Sequence, residues 1–571
     1  MATIVKRQPK SSRKAVYYYH ETYRVKGEDG KKSKVKSNDI YLGSAEQVLE
    51  KIQNGQKPQQ VSAKQFGLVM AAYNEAKRIG LVDVIDSVVP KRVQGFTVGE
   101  YILIAILNKI AAPTSRNGIR DWLKKTSLPE KIGLDVDLFT SQNFWDHFDL
   151  IMPEKELKER KTLLSRGEIV EEELFNDEAL GMIEEGIWKN LLARESINLE
   201  AFLYDTTNFF SFMETTTPSF LARTGHNKHM RHNLRQVGMG LVLTREGSLP
   251  LMHLLFHGRK TDPKLFPGSM TELVDRYFRL TSETEKLVVV FDKGNNSREN
   301  IQFANDKKIT AVGSLVPSHH RDLVGVRLSR YQETIEEKPV FVTKKKVFGL
   351  DCRIVVVYNE ATYRRKKLKF REKIFQLKDL VEERFNEIKD RPKAEIEEEL
   401  KKILWGNEYQ RYIEVEVSGR RYKTLSCCLN MKNYLAKLRT FGKLIIFSTD
   451  PSMSSQEIVR LYAEKNEVEK QFKQLNDPNS IAFRPRYHWT DTKIKVYSLI
   501  CVLALLILQL MNYRARKANL IMSNKVLIEE LSDIFEVVMV YSFAQVEKQI
   551  TELSSVQKKL FNLFELGLYA P

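Results

Sequence analysis

The 571-residue sequence carries 91 Lys and Arg against 73 Asp and Glu, a formal net charge of +18, with 42% hydrophobic and 29% charged residues. That balance excludes a mainly disordered chain, and the length exceeds one ordinary core and fits several domains. Four cysteines without a C-x-x-C pair exclude a disulfide framework and argue against a cysteine zinc site; a reducing cytoplasm is the simplest compartment, since the polar opening MATIVKRQPKSSRKAV lacks the apolar core of a secretory signal.

Residues 1–60 predict a basic, β-rich arm: short strands around turn signals such as GEDGKK, then a polar linker, NGQKPQQ. Residues 1–40 hold eleven Lys or Arg and four Asp or Glu, with aromatics interleaved in AVYYYHETYRV. The mixture fits a nucleic-acid contact, and equally a solvated hairpin with a basic face. Residues 61–197 predict a helical region. FGLVMAAYNEAKRIGLVDVIDSVV has helical apolar spacing, and VGEYILIAILNKIAA is apolar nearly all round, as a buried helix is. SRNGIRDWLKKTSL fits part of a helix-turn-helix, although plain helical bundles are commoner.

From 198 the pattern changes to α/β. AFLYDTT, RQVGMGLVLT and LPLMHLLF predict three strands, TDPKLFPGSMTELVDRYFRL a helix capped by Thr261 or Asp262, KLVVVFD a buried central strand, NNSRENIQFANDKK a helix and ITAVGSL a further strand, closing at 314. Residues 315–441 interrupt this order with strands (KPVFVTKKKV, CRIVVVY, RYIEVEVSG, RYKTLSCCL) and a charged helical pair. Its apolar face is predicted at Leu368, Ile374, Leu377, Val381, Phe385 and Ile388, and Pro392 ends the run. Trp405 in this stretch predicts core packing, with base stacking as the alternative.

Residues 442–515 restore the α/β pattern. KLIIFSTD is a strand, and SSQEIVRLYAEKNEVEKQFKQL predicts one long helix opened by a Ser454–Glu457 capping box. Val496–Met511 is a 16-residue apolar run, shorter than the roughly 20 residues of a membrane span, and predicts a buried core helix. Residues 516–571 predict a helical C-terminal region whose stripe Val546, Ile550, Leu553, Leu560 and Phe564 is a candidate dimerisation surface.

Three carboxylates stand out. Asp205 in YDTT and Asp292 in VVVFDKGNNS each sit at a predicted strand end, where open α/β sheets place their sites. Two such carboxylates side by side repel unless a cation lies between them, and Mg²⁺ takes oxygen ligands of this kind. Glu469 is the third candidate: Tyr462, Lys465, Glu469, Lys473 and Asn476 share one helical stripe, beside the apolar stripe Leu461, Val468, Phe472 and Leu475. Glu464 and Glu467 fall on other faces. Each carboxylate alone fits a turn or a solvated face as well. His226, His229 and His232, three apart among Lys and Arg, fit a loop or DNA-facing segment better than a metal site. No G-x-x-x-x-G-K-[ST] loop is present, so no nucleotide cofactor is expected.

The order of elements, the three carboxylates, YDTT, the DKGNNS run and the later RPRYH before an apolar helix together resemble the RNase H-like DDE transposases of bacterial insertion sequences. More narrowly they resemble the subgroup marked Y-x2-R-x3-E-x6-K. Tyr462 and Glu469 match that signature; Lys465 stands where the family has Arg, and Asn476 where it has Lys. Arg grips phosphate with a planar fork and Lys with a point charge, so Lys465 is expected to hold phosphate less rigidly. Lys473, one turn closer to Glu469, is the substitute cation for Asn476.

The resemblance, which runs loosely from 65 to 515, implies a multidomain α/β protein. Its RNase H-like catalytic core, a mixed sheet flanked by helices, would be interrupted by a strand-and-helix insertion and preceded by a helical DNA-binding region. It implies Asp205, Asp292 and Glu469 as catalytic residues and ligands of Mg²⁺ or Mn²⁺, as two ions, with Tyr462, Lys465, Lys473, Asn476, Arg484 and His488 on DNA. The implied partners are double-stranded DNA, both inverted-repeat ends and target, and a second copy of the chain; no membrane is implied, and the location is the bacterial cytoplasm at the nucleoid. Strand cleavage is followed by strand transfer, in this subgroup often through a hairpin at the element end. A catalytically idle DNA-binding protein of the same descent and a structure-specific nuclease of this fold remain alternatives.

Overall fold

The computed structural model describes residues 2–8, 15–25, 34–53, 58–89, 95–152, 162, 165–166, 178–214, 217, 219–225, 233–259, 262–283, 287–478, 480–483, 490–541 and 545–571. In chain order, strands β1 (Ala2–Arg7), β2 (Val16–Val25) and β3 (Lys34–Ser44) form an antiparallel sheet, followed by helix α1 (Ala45–Gln53) and strand β4 (Gln60–Gln65). Helices α2 (Gly67–Arg78), α3 (Leu81–Val88), α4 (Val98–Ala111), α5 (Arg116–Leu123), α6 (Leu128–Ile132) and α7 (Ser141–Ile151) come next. The run expected as one helix from Phe66 is broken at Gly80, whose φ of +63° suits a residue without a side chain. Helix α4 is buried nearly all round. Its capping box is complete: the Glu100 N–H donates to the Thr97 hydroxyl, and the Thr97 N–H donates to the Glu100 carboxylate.

Helix α8 (Glu178–Leu192) leads into strands β5 (Ala201–Ser211), β6 (Arg223–Thr224), β7 (Arg235–Thr244) and β8 (Pro250–His257), helix α9 (Asp262–Thr281), strand β9 (Val288–Phe291), helix α10 (Arg298–Asp306) and strand β10 (Thr310–Leu315). A short helix α11 (Arg321–Val324) precedes strands β11 (Glu333–Ile335), β12 (Lys338–Val347) and β13 (Leu350–Tyr358). Helices α12 (Glu360–Ile388) and α13 (Lys393–Leu404), strands β14 (Ile413–Ser418) and β15 (Thr424–Leu429), helix α14 (Met431–Leu438) and strand β16 (Lys443–Ser448) follow. Then come helices α15 (Ser455–Glu464), α16 (Asn466–Asn476), α17 (Asp491–Lys517) and α18 (Asn524–Ser532), strands β17 (Phe535–Val540) and β18 (Val546–Ile550), and helix α19 (Ser555–Leu563).

These elements divide into two compact units: residues 1–151, 478–481 and 503–571, and residues 152–477 and 482–502. In the first, β17 pairs antiparallel with both β4 and β18, so the C-terminal region expected to be helical carries two strands. The reason is local: FEVVMV is rich in β-branched residues, and β4 offers it an edge. Val546 is accordingly exposed on a strand, while Leu560 and Phe564 are buried. Helix α2 can approach the end of α18 because Gly67 has no Cβ; one placed there would stand 2.3 Å from the Leu531 carbonyl oxygen.

The second unit is built on a mixed ten-stranded sheet of order β11-β12-β13-β16-β10-β9-β5-β7-β6, with β8 also paired to β7. Strands β5, β9 and β10 run parallel, and the other pairings are antiparallel. The stretch 315–441, expected as one insertion, divides: β11–β13 hydrogen-bond into this sheet through β16, whereas α12, α13, α14 and the β14–β15 hairpin share a small core of their own. In α12 that core takes Phe370, Ile374, Leu377, Val381, Phe385 and Ile388, spaced 4, 3, 4, 4 and 3, and leaves Leu368 exposed. Leu368 lies two residues before Phe370, off the helical stripe.

The long helix expected from Ser454 is two helices meeting at Lys465, where the Val468 N–H donates to the Lys465 carbonyl in a tightened turn. Only half of its capping box forms: the Ser454 hydroxyl accepts from the Glu457 N–H, but the Glu457 carboxylate is drawn to Arg245. Helix α17 is long and apolar enough by composition to cross a membrane, yet its apolar window is wholly buried within the protein.

Candidate functional site

The site grows from the parallel pairing of β5 with β9. Its last paired residues are Tyr204 and Phe291, so Asp205 and Asp292 are the next residue on each strand. Asp205 is not at the end of its strand, as the YDTT run suggested. Strand β5 continues to Ser211 against β7, and only its β9 ladder stops at Tyr204. Tyr204 and Phe291 both pack their rings on Phe266 of α9. Side chains alternate along a strand, so Asp205 and the extended Asp292 project from the opposite face. Helix α16 packs on that face: Phe472 meets Phe209, four residues beyond Asp205 on the same side of β5.

Glu469 comes from α16, and Lys465 joins it to the sheet. The Lys465 Nζ lies 3.2 Å from Asp292 Oδ1 and 3.6 Å from Glu469 Oε1, with its own side chain only 10% exposed. Burial would raise the Asp292 carboxyl; the backbone N–H of Lys293 and the Lys465 ammonium outweigh it and hold the group below its ordinary value. Burial would likewise lower Lys465, but Tyr462, Asp292 and Glu469 together raise it. Tyr462 is pushed up by burial, is hydrogen-bonded to Ser314, and offers its ring to the Lys465 ammonium at 5.5 Å. The Thr206 N–H donates to Asp205 Oδ1 at 2.8 Å.

The other members of the stripe diverge. Lys473 and Asn476 are exposed, and the Asn476 amide donates to the Phe472 carbonyl of its own helix at 2.9 Å. Arg484 and His488 lie outside the described residues, as do His226, His229, His232 and the proposed cap Thr261. Trp405, expected in a core, is 87% exposed at the end of α13. Glu464 is not simply solvated: it and Glu457 clamp Arg245, at 2.7 and 2.5 Å. Arg245 follows β7 and ties the helix before Glu469 to the sheet. The sequence signal for it was the seven-residue spacing of Glu457 and Glu464, which puts two acids on one helical face. Asp491 is a buried carboxylate fully engaged by the Ser219 hydroxyl and the N–H groups of Phe220 and Leu221.

Among the described residues, no three His, Cys, Asp or Glu side chains stand in a metal-holding arrangement. The donor chemistry nonetheless suits a hard divalent cation, because Asp205, Asp292 and Glu469 offer only carboxylate oxygens. The Lys465 ammonium takes a cation's part between two of them.

No protein-family model matches this chain, and no curated protein matches it. Among solved structures it is similar to a piggyBac transposase synaptic complex with hairpin DNA, determined by cryo-EM. The identity is 10% and the TM-score 0.39, over 90% of this chain and 88% of that one. A likeness at that level carries no conclusion about chemistry here.

Proposed function

We propose that this chain is a DDE transposase: it binds the inverted-repeat ends of an insertion sequence as a homodimer, cuts DNA with Mg²⁺ or Mn²⁺, and joins the freed end to target DNA. The observation that carries the reading is the placement of Asp205 and Asp292 side by side where β5 and β9 part, with Lys465 bridging Asp292 to Glu469. The strand order β8-β7-β5-β9-β10, in which β7 alone is reversed, supports an RNase H-like core. On this reading residues 198–314 and 442–515 are the two parts of that core; between them β11–β13 extend its sheet and residues 360–438 form the insertion. The basic arm 1–60 and helices α2 to α7 hold the DNA end, and 516–571 contributes to the dimer; α8, in the region expected to bind DNA, instead packs within the second unit.

Asp205, Asp292 and Glu469 would hold the metal, as two ions. Bound there, it would lower the pKa of water and neutralise charge on the phosphoryl transition state. Lys465, steadied by the Tyr462 ring, presents a point charge to phosphate. The exposed Lys473 and Asn476 are proposed DNA contacts, as are Arg484 and His488 by their place in the sequence. Arg245 holds α15, and through it the approach of Glu469 to the sheet.

Asp292→Asn tests the reading, since it keeps shape and removes charge. Nicking of a labelled end duplex in Mg²⁺ should fall by roughly a thousandfold or more, because metal catalysis supplies several kcal/mol and each 1.36 kcal/mol is about tenfold. Duplex affinity should hardly change, because Lys and Arg elsewhere supply it. Near wild-type nicking by the variant would remove Asp292 from the active site. The Lys465 ammonium lodged between two of the carboxylates is the observation that favours the idle DNA-binding reading, which takes over if the wild type binds DNA and never cuts. Cutting without joining would point to the nuclease.

A further inference from the structure

Helix α12 divides electrically into two halves. Residues 364–373, RRKKLKFREK, hold seven Lys or Arg against one Glu, and all but Phe370 are exposed. The later half and α13 behave as solvated helices usually do, pairing their charges: Lys378 with Glu382, Arg384 with Glu387 and Glu399, Lys393 with Glu397, Lys402 with Glu398 and Glu399. In the early half only Arg364 finds an acid, Glu360. Arg365, Lys366 and Lys369 make no ion pair among the described residues, Lys367 and Arg371 lie over the rings of Tyr363 and Phe375, and Lys373 donates to the Gln376 amide oxygen.

This arrangement works against the helix that carries it. Arg365/Lys369, Lys367/Arg371 and Lys369/Lys373 are like charges four apart, and Arg364/Lys367 and Lys366/Lys369 are three apart; such neighbours destabilise a helix. An anionic partner relieves that repulsion. We infer that the first turns of α12 are a docking surface for the phosphate backbone of duplex DNA. The ten residues span about 15 Å at 1.5 Å each, several phosphates along one strand. A membrane surface fits less well, because a helix lying on lipid needs a broad apolar face opposite its cations, and Leu368 and Phe375 alone do not make one. The inference rests on the DNA-binding part of the proposed function and adds a contact outside the carboxylate site, on a substructure with its own core.

The test uses the full chain with Arg365, Lys366, Lys367, Lys369 and Arg371 changed together to Gln. A control changes Lys378, Arg384, Lys393, Lys401 and Lys402 to Gln, an equal loss of net charge, four of the five being ion-paired. Affinity for a labelled 30-base-pair duplex of arbitrary sequence is measured across salt concentrations. If about three of the five face one duplex at a time, the slope of log affinity against log salt should become shallower by roughly 3, and affinity near physiological salt should fall by roughly tenfold or more. The control should keep the wild-type slope. The patch variant should melt no lower than wild type, because repulsion has been removed, so weaker binding is not misfolding. Equal slopes for wild type and patch variant, or an equal loss in the control, would overturn the inference and leave the transposase reading standing. A wild-type chain that binds no duplex at all would sink both. Loss of binding to phosphatidylserine vesicles with duplex binding intact would transfer the patch to membranes and also overturn it.

Discussion

Glu184→Gln should destabilise the unit that carries the site far more than a surface change would. Glu184 is buried on α8. Its Oε1 accepts from His253 Nδ1 at 2.5 Å, and its Oε2 accepts from Arg276 Nη1 at 2.8 Å. The Ser498 hydroxyl donates to the Lys495 carbonyl at 2.6 Å, so its oxygen is left to accept from His253 Nε2 at 2.9 Å. One carboxylate thus serves two buried groups, the His253 ring from β8 and the Arg276 guanidinium from α9, with Glu272 sharing Arg276 at 3.1 Å. Gln keeps the volume and removes the charge. Breaking a buried pair this way costs about 3–5 kcal/mol. For a unit of this size that lowers Tm by roughly 5 °C.

The pH dependence supplies a second check. Burial would raise the Glu184 carboxyl, but His253 and Arg276 outweigh it and depress the group. A depressed carboxyl stabilises the fold fully above its unfolded value, about 4.3, and the contribution fades as pH falls through the lower folded value. Thermal melts of wild type and variant should therefore differ most near neutral pH and converge in acid. Replacing Glu184, His253 and Arg276 together with apolar residues of similar volume should recover most of the loss, because no buried member of the network is then left without its partner. Equal melting at neutral pH, or a gap that does not close in acid, would refute the reasoning.

Lys465→Met removes the ammonium that, on the proposed reading, stands where a divalent cation would bind Asp292 and Glu469. Both carboxylates are more than a third exposed, so its hold is worth only about 1 kcal/mol after screening, or roughly fivefold. Mn²⁺ titrated into DNA-free protein and followed by electron paramagnetic resonance should bind about fivefold tighter to the variant; equal or weaker binding would show that Lys465 does not occupy a cation's place. Trp405→Ala should change unfolding free energy by no more than about 0.5 kcal/mol, as an exposed side chain does. A loss of about 3–5 kcal/mol in a denaturant titration would mean that Trp405 is packed in a core.

Local pattern was readable wherever a structure is specified by near neighbours. Thr97 and Glu100 announce the start of α4, the apolar run VVVF marks a central strand, and the 3–4 spacing from Ile374 to Ile388 marks the buried face of α12. The same local cues singled out Asp205, Asp292 and Glu469 as carboxylates of interest. What they could not convey was adjacency. Asp205 and Asp292 become neighbours only through the β5–β9 ladder, and Lys465, at the junction of two helices, meets Asp292 only in the folded chain.

The remaining differences have the same origin. FEVVMV forms a strand because β4, hundreds of residues earlier, has a free edge for it; β13 enters the large sheet because β16 lies open beside it. Trp405 is exposed because α13 ends at Leu404: Ile396, Leu400, Ile403 and Leu404 pack on the core, and the chain leaves the helix at Trp405. Periodicity and capping are properties of a few consecutive residues, so the chain by itself determined most helices and strands and the residue types they carry. Which strand edges meet, where a helix must break and which charges end up paired depend on contacts between distant residues, and only the tertiary structure decided them.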